Sequence, residues 1–496
     1  MRIIIVKCIT LIVMLVPISS IHAQSTTYST TYIDLGYLAI DGSVSCSNYE
    51  SDITMAGVIL DGYRNRFNLK SNEIDFSGCK IISDRCFIND VSLDTIIIPE
   101  GVEEICNEAF FGCSSLKYVH IPATVKKIGL RVFAFCNALS TIVVDPDNPV
   151  YDSRDNCNAI IEKSTGRLVA GCQSTIIPYG VKYIGNSAFY SVRKLKTIKL
   201  PESVEYIDYY AFEGCKMLRK VVFSETLNYI GHNAFSQCVS LKRITLPKNI
   251  TYTGYSTFVG CINLKKVKLS NMELINSNMF SDCTSLKKIT IPDTVNTIGN
   301  LAFMDCPSLK TIKIKNPNVC IEDAAFSTCV KLDNVILSSN LIDIESHAFD
   351  YCVSLKSICI PDGVTTINDS LFAGCTSLEA VVLPDTINEI TDWAFMGCES
   401  LKSITIPKQV TKIGKYAFHG CSSIKEITIP EMISHIGKDA FTNCSSLTSI
   451  TILNPTPPLI ESDSFDIKEI NVPKESLTKY KRSKIWKKIA KYTPIN

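Results

Sequence analysis

Phenylalanine recurs along this chain at Phe87, Phe110, Phe133, Phe189, Phe212, Phe235, Phe258, Phe280, Phe303, Phe326, Phe349, Phe372, Phe395, Phe418, Phe441 and Phe465. Twelve of the fifteen steps are 23 residues; one is 22 (Phe258 to Phe280), one is 24 (Phe441 to Phe465), and one is 56 (Phe133 to Phe189). A period held this long restricts the chain to an array in which each unit buries too little to fold alone and completes its core against its neighbours. The 496 residues therefore need not divide into several globular domains.

One unit reads Leu286-Lys-Lys-Ile289-Thr-Ile291-Pro292-Asp-Thr-Val295-Asn-Thr-Ile298-Gly299-Asn-Leu-Ala302-Phe303-Met-Asp-Cys306. Lys288 to Ile291 alternates, so Ile289 and Ile291 share one face of a short strand. Pro292 ends it, having no N–H to give a ladder. Val295 and Ile298 turn a second segment inward, Gly299 permits a bend, and Ala302 and Phe303 fill the interior. The expected fold is a β-rich, right-handed stack of about sixteen such units with a parallel strand ladder. At about 4.8 Å per rung it forms a curved rod on the order of 75 Å long.

The pattern Leu-x-x-Ile-x-Ile-Pro-x-x-Val-x-x-Ile-Gly-x-x-Ala-Phe-x-x-Cys resembles the BspA-like leucine-rich repeats, also described as the Treponema-type 23-residue repeat, over residues 76–453. That resemblance implies a secreted or cell-surface protein, of a group several of whose members are linked with adhesion. It fixes architecture better than partner.

Three regions depart from the pattern. Asp145-Pro-Asp-Asn-Pro149 leads into Ala159-Ile-Ile161, a Ser-Thr-Gly166 turn and Leu168-Val-Ala170, which reads as a loop and β-hairpin inserted at about 145–180. Residues 24–75 are polar and tyrosine-rich and read as an N-terminal cap. Residues 454–496 read as a capping segment with a helix near Glu475–Ala490, where Leu477, Tyr480, Ile485, Trp486 and Ile489 can seal the last unit. Ahead of the array, Arg2 and Lys7 precede an apolar run from Ile9 to Ile18 and small residues ending at Ala23, which reads as a signal peptide over 1–23 rather than a membrane anchor. The expected mature protein is exported and has no transmembrane segment.

Of the 22 cysteines, thirteen stand three residues after a repeat phenylalanine: Cys113, Cys136, Cys215, Cys238, Cys261, Cys283, Cys306, Cys329, Cys352, Cys375, Cys398, Cys421 and Cys444. Stacked thiols point the same way, which suits a buried ladder of small side chains better than disulfides or a metal array. Cys46, Cys79, Cys86, Cys106, Cys157, Cys172, Cys320 and Cys359 lie off this column, and Cys157 with Cys172, flanking the hairpin, is the best candidate pair.

No motif for catalysis emerges. There is no C-x-x-C, H-E-x-x-H, P-loop or G-x-S-x-G, and His120, His232, His347, His419 and His435 do not share one repeat position. The acidic loop with Asp145, Asp147, Asn148, Asp152 and Asp155 lacks the glycine and terminal glutamate of an EF-hand. The chain is read as a non-enzyme without cofactor or metal.

Charge is informative only locally, since the net charge is +1 and excludes neither half of the array from having its own character. At the outward second, third and fifth strand positions of the six units from Leu195 to Ile314, thirteen of eighteen residues are basic: Lys196, Lys199, Arg219, Lys220, Lys242, Arg243, Lys265, Lys266, Lys268, Lys287, Lys288, Lys310 and Lys313. In the six units from Leu332 to Ile452 only Lys356, Lys402 and Lys425 are basic, balanced by Asp333, Glu379 and Glu426. Two readings stand: a solvated face that discourages sheet association, or a groove for an anionic ligand. On the second, Lys199, Lys220, Arg243, Lys266, Lys268, Lys288 and Lys313 bind acidic glycans or host or neighbouring-cell surface proteins, with no nucleic acid partner expected. A further basic group, Lys479, Lys481, Arg482, Lys484, Lys487, Lys488 and Lys491, is either the polar side of a capping helix or an interfacial membrane helix.

Overall fold

The computed structural model describes residues 78–461, 469–484, 486–488 and 491–495. The signal segment, the region 24–75, Cys8, Cys46, Phe465, Ile485 and Ile489 lie outside the described residues.

The chain is a parallel β-solenoid of about eighteen turns of about 23 residues. Each regular turn contributes a rung to two ladders. The first ladder holds the Ile-x-Ile strands, as in Thr197–Lys199 beside Lys220–Val222. The second holds two-residue strands ending on the next isoleucine, as in Tyr206–Ile207 beside Tyr229–Ile230. Inward residues of both meet the phenylalanine column, whose described rings are buried. From Phe189 to Phe441 neighbouring rings stack at 4.9–6.0 Å between centroids, so the rung spacing is also the spacing at which aromatic rings pack face to face.

The residue two before each column phenylalanine from Phe87 to Phe441 adopts the left-handed conformation, even where it is Leu301 (φ 59°) or Trp393 (φ 57°). This relocates the bend expected at Gly299. That glycine is instead needed for close approach, because a Cβ there would lie 2.8 Å from the Ser277 amide nitrogen of the preceding rung.

The cysteine column is a hydrogen-bond ladder. Each of the thirteen thiols donates to a main-chain carbonyl of the preceding rung, at 3.0 Å for Cys113 to Phe87 and 3.4 Å for Cys283 to Phe258. Burial pushes the column's thiols from Cys215 to Cys421 up, to about 12 for Cys261 and Cys329, which removes them from nucleophilic or metal-binding chemistry at neutral pH. Cys157 and Cys172 are also free: their thiols donate to the carbonyls of Ala159 and Asn158, and no disulfide joins them.

The predicted hairpin is present, with Ala159–Glu162 antiparallel to Arg167–Gly171. It has a third strand that was not expected, Tyr151–Asp152. The hairpin is a wall between two cores. Ile160 and Ala170 face the N-terminal core, whereas Ala159, Ile161 and Leu168 face the main one. Arg167–Gly171 then pairs in parallel with Tyr183–Ile184 and restarts the second ladder. Gly171 is required at this joint, since a Cβ would sit 2.2 Å from the ring of Phe189. The acidic loop ahead of it is anchored by buried Asn148, whose amide donates to the carbonyls of Pro122 and Val125 at 2.7 and 2.9 Å.

The C-terminal helix is shorter than expected. It spans Leu477–Arg482 and stops where Ser483 becomes extended, with a single 3₁₀ turn at Trp486–Lys488. Tyr480 and Trp486 are buried as expected and bond the carbonyls of Asn454 and Pro458. Beyond the helix, Lys491–Ile495 adds a strand beside Glu469–Pro473. This late strand and the rung that Arg167–Gly171 supplies within the 56-residue step have no column phenylalanine, so counting phenylalanines gives fewer turns than the fold contains.

Candidate functional site

On the first ladder all thirteen basic side chains named above are exposed. Strand alternation turns Ile198, Ile244 and Ile312 inward and leaves their neighbours in solvent. Main-chain bonds from Arg219 N to Lys196 O (2.8 Å), Lys265 N to Lys242 O (3.0 Å) and Lys310 N to Lys287 O (3.1 Å) fix second-position cations on adjacent rungs. In the third-position row, Arg243 lies opposite Lys266, while Lys220 pairs with Thr197 and Lys288 bridges to Thr311. Lys199, Lys268 and Lys313 face Val222, Thr245 and Ile336 in the fifth-position row. The structure thus brings Lys199, Lys220, Arg243, Lys266, Lys268, Lys288 and Lys313 onto one face.

What distinguishes this face is the lack of compensation. Elsewhere, a 23-residue offset sets opposite charges on neighbouring rungs: Lys80 and Lys126 both bond Glu103 (2.8 and 3.0 Å), Glu379 meets Lys402 (2.5 Å), and Glu389 meets Lys412 (2.7 Å). The two lysines hold the Glu103 carboxyl down, to about 2. Among the described residues, none of the thirteen basic side chains forms an ion pair. Like charges about 5 Å apart repel, so an anion on this face relieves a standing repulsion.

The sequence reading missed a second feature on the same units. Tyr183, Tyr206, Tyr229 and Tyr252 occupy successive rungs of the second ladder. Tyr206 and Tyr229 stack at 4.0 Å, and Tyr229 and Tyr252 at 4.8 Å. Beside them runs a shorter column, Tyr209, His232 and Tyr255, stacked at 4.9 and 4.7 Å. Both columns keep the 23-residue step, so the same comparison that revealed the phenylalanines would have found them.

The C-terminal basic group divides. Lys491 bonds Glu469 at 2.9 Å, and Lys481 lies over the Tyr492 ring at 5.9 Å. Its six-residue helix is short for an interfacial anchor. Among the described residues no helix is long and apolar enough to cross a membrane, and no group of three or more His, Cys, Asp or Glu side chains could hold a metal ion.

The model of the BspA type leucine rich repeat region (6 copies) matches residues 63–157, 169–286, 269–379 and 365–484. Among solved structures, a leucine-rich repeat protein from Bacteroides ovatus is 26% identical, covering 70% of this chain and 98% of that one with a TM-score of 0.49. A leucine rich cell surface protein from Faecalibacterium prausnitzii is 25% identical over 72% of this chain and 87% of its own, with a TM-score of 0.39. The pneumococcal vaccine antigen PcpA is 22% identical over 64% and 85%, with a TM-score of 0.44. No curated protein matches the chain.

Proposed function

This chain belongs to the BspA-type leucine-rich-repeat family, and from that premise we propose that it is a non-enzymatic, extracellular or cell-surface binding protein whose first ladder engages acidic glycans or acidic protein surfaces. In this reading residues 1–23 direct export, 24–75 and 454–496 cover the ends, and the solenoid of 76–453 presents the ligand surface. The observation that carries it is the uncompensated cationic face around Lys199, Lys220, Arg243, Lys266, Lys268, Lys288 and Lys313, in a chain that pairs charges between rungs elsewhere. An extended surface with rigidly spaced cations suits a polyanion better than a small substrate.

The test is retention of the mature protein on immobilised heparin and hyaluronan. Replacing Lys199, Lys220, Arg243, Lys266, Lys268 and Lys288 by Ser is expected to weaken binding at least about tenfold, a loss that fades as salt screens the wild-type interaction. Binding indifferent to both the substitutions and the salt would exclude the cationic face as the contact surface. A protein that folds normally but retains neither polyanion would instead favour a structural envelope or matrix role.

A further inference from the structure

The one 22-residue step in the array leaves the core intact and alters the surface. Across it, Phe258 and Phe280 still stack at 5.6 Å and 7°. The missing residue falls in the turn between the ladders: Pro247-Lys-Asn-Ile250 of one unit is matched by Ser270-Asn-Met272 in the next. The second ladder breaks there. Tyr252–Thr253 ends one sheet and Leu274–Ile275 begins another. On the rung before, Thr251 N and Tyr252 N bond Asn228 O at 2.9 and 3.2 Å; on the rung after, Asn296 N bonds Glu273 O at 2.7 Å. Between them the corresponding main-chain bonds of the ladder are missing among the described residues; the Asn276 amide reaches across to Thr253 O, and the Thr253 hydroxyl donates to the Met279 sulfur.

The break opens a cleft of about 380 Å³ lined by Thr251, Tyr252, Asn271, Glu273 and Leu274 among others. That volume lies within the range of roughly 300–1,000 Å³ typical of small-ligand sites. Both aromatic columns end at this boundary. Tyr252 has Tyr229 on one face and, on the next rung, Leu274 across the cleft; Tyr255 has His232 on one face and is followed by Ser277. Tyr255 is 51% exposed. Within the turn, the buried Ser270 hydroxyl has no hydrogen-bond partner. The Glu273 carboxylate and Asn271 amide form no hydrogen bond or ion pair within the described residues, unlike the many rung-spaced polar pairs elsewhere.

We propose that this cleft is a saccharide subsite, in which a neutral pyranose ring packs on the outward face of Tyr252 while its hydroxyls bond Glu273 and Asn271. The chemistry fits each part. An aromatic face accepts the C–H side of a sugar ring. A carboxylate accepts from two adjacent hydroxyls, and an amide both donates and accepts. An acidic sugar would meet the Glu273 carboxylate, which selects for a neutral one. The site stands on the second ladder and does not depend on the cationic face of the first.

Saturation-transfer NMR with cellotriose, mannotriose and tri-N-acetylchitotriose, on the full mature chain, tests this. At least one trisaccharide is expected to bind with millimolar or tighter affinity. Tyr252→Ala and, independently, Glu273→Gln should each raise its Kd about tenfold or more. Leu274→Trp, which fills the cleft while leaving Tyr252 and Glu273 in place, should abolish the signal. Lys220→Ser with Arg243→Ser should leave it unchanged, which separates failure of this site from failure of the polyanion reading. Unchanged thermal melting of the Glu273→Gln protein shows that its loss is local. Absence of binding by all three sugars, or binding untouched by both Glu273→Gln and Leu274→Trp, overturns the proposal.

Discussion

The units from Leu195 to Ile314 and those from Leu332 to Ile452 have the same interior but different exteriors, one basic and one near neutral. Both stack Phe on Phe at 4.9–6.0 Å, and both tie rungs with buried thiols. One displays thirteen cations on its first ladder; the other displays three, with three acids among them. The contrast teaches that a strand's alternation separates two problems. Inward positions are dictated by the column they join, while outward positions can be rewritten without disturbing the stack.

The largest test of that separation is in the core. Phe235→Ala and Phe395→Ala, one from each half, should each cost about 3–5 kcal/mol in urea unfolding. Values that differ widely between the halves would break the claim of a common interior. The next test transfers the exterior. Glu379→Lys removes the bond to Lys402 and makes Lys356, residue 379, Lys402 and Lys425 a run of four cations. The variant should gain salt-sensitive retention on heparin in a protein whose Lys220, Arg243, Lys266 and Lys288 have been changed to Ser, with little change in melting temperature.

A smaller difference concerns thiols. In the fifth-position row, where one half carries Lys199, Lys268 and Lys313, the other carries exposed Cys359. Peptide mapping after brief native alkylation should find Cys359 labelled well before any cysteine of the buried column, whose labelling should await unfolding. The smallest effect is a pH dependence carried by His232, in the basic half. His232 accepts a bond from Tyr255 N at 2.8 Å, and burial lowers its pKa. The unfolded chain therefore binds the proton more readily. The histidine's contribution is complete above its ordinary value near 6.5 and declines as pH falls below it. Melting curves from pH 7.5 to 5 should show a modest acid-side loss that His232→Phe reduces.

Much of this was legible in the chain itself. The phenylalanine and cysteine columns, the strand faces and the hairpin follow from spacing, because a repeat turns sequence distance into spatial contact. The exposed cationic rows were readable for the same reason. The bend was misplaced because a glycine was read as a turn residue when its role is close approach, and the left-handed position is held by Leu301, Trp393 and other side chains. The long capping helix failed because amphipathic spacing over 475–490 does not reveal that Ser483 turns extended and that the chain returns as a strand. The cleft near Tyr252 was visible only as an irregular step; whether a missing residue deforms the core or the surface depends on packing, not on counting.

The thiol bonds have one more implication. Twelve of the thirteen join residues 26 apart, and the one across the short unit joins residues 25 apart. Each bond of this ladder is therefore written relative to the neighbouring unit and never to an absolute address in the chain. Excising or duplicating a whole regular unit leaves each remaining column thiol and phenylalanine facing a chemically equivalent partner. The length of such a molecule is a free variable, adjustable in increments of about 5 Å, and its reach from one end to the other can be altered without renegotiating how any single turn folds.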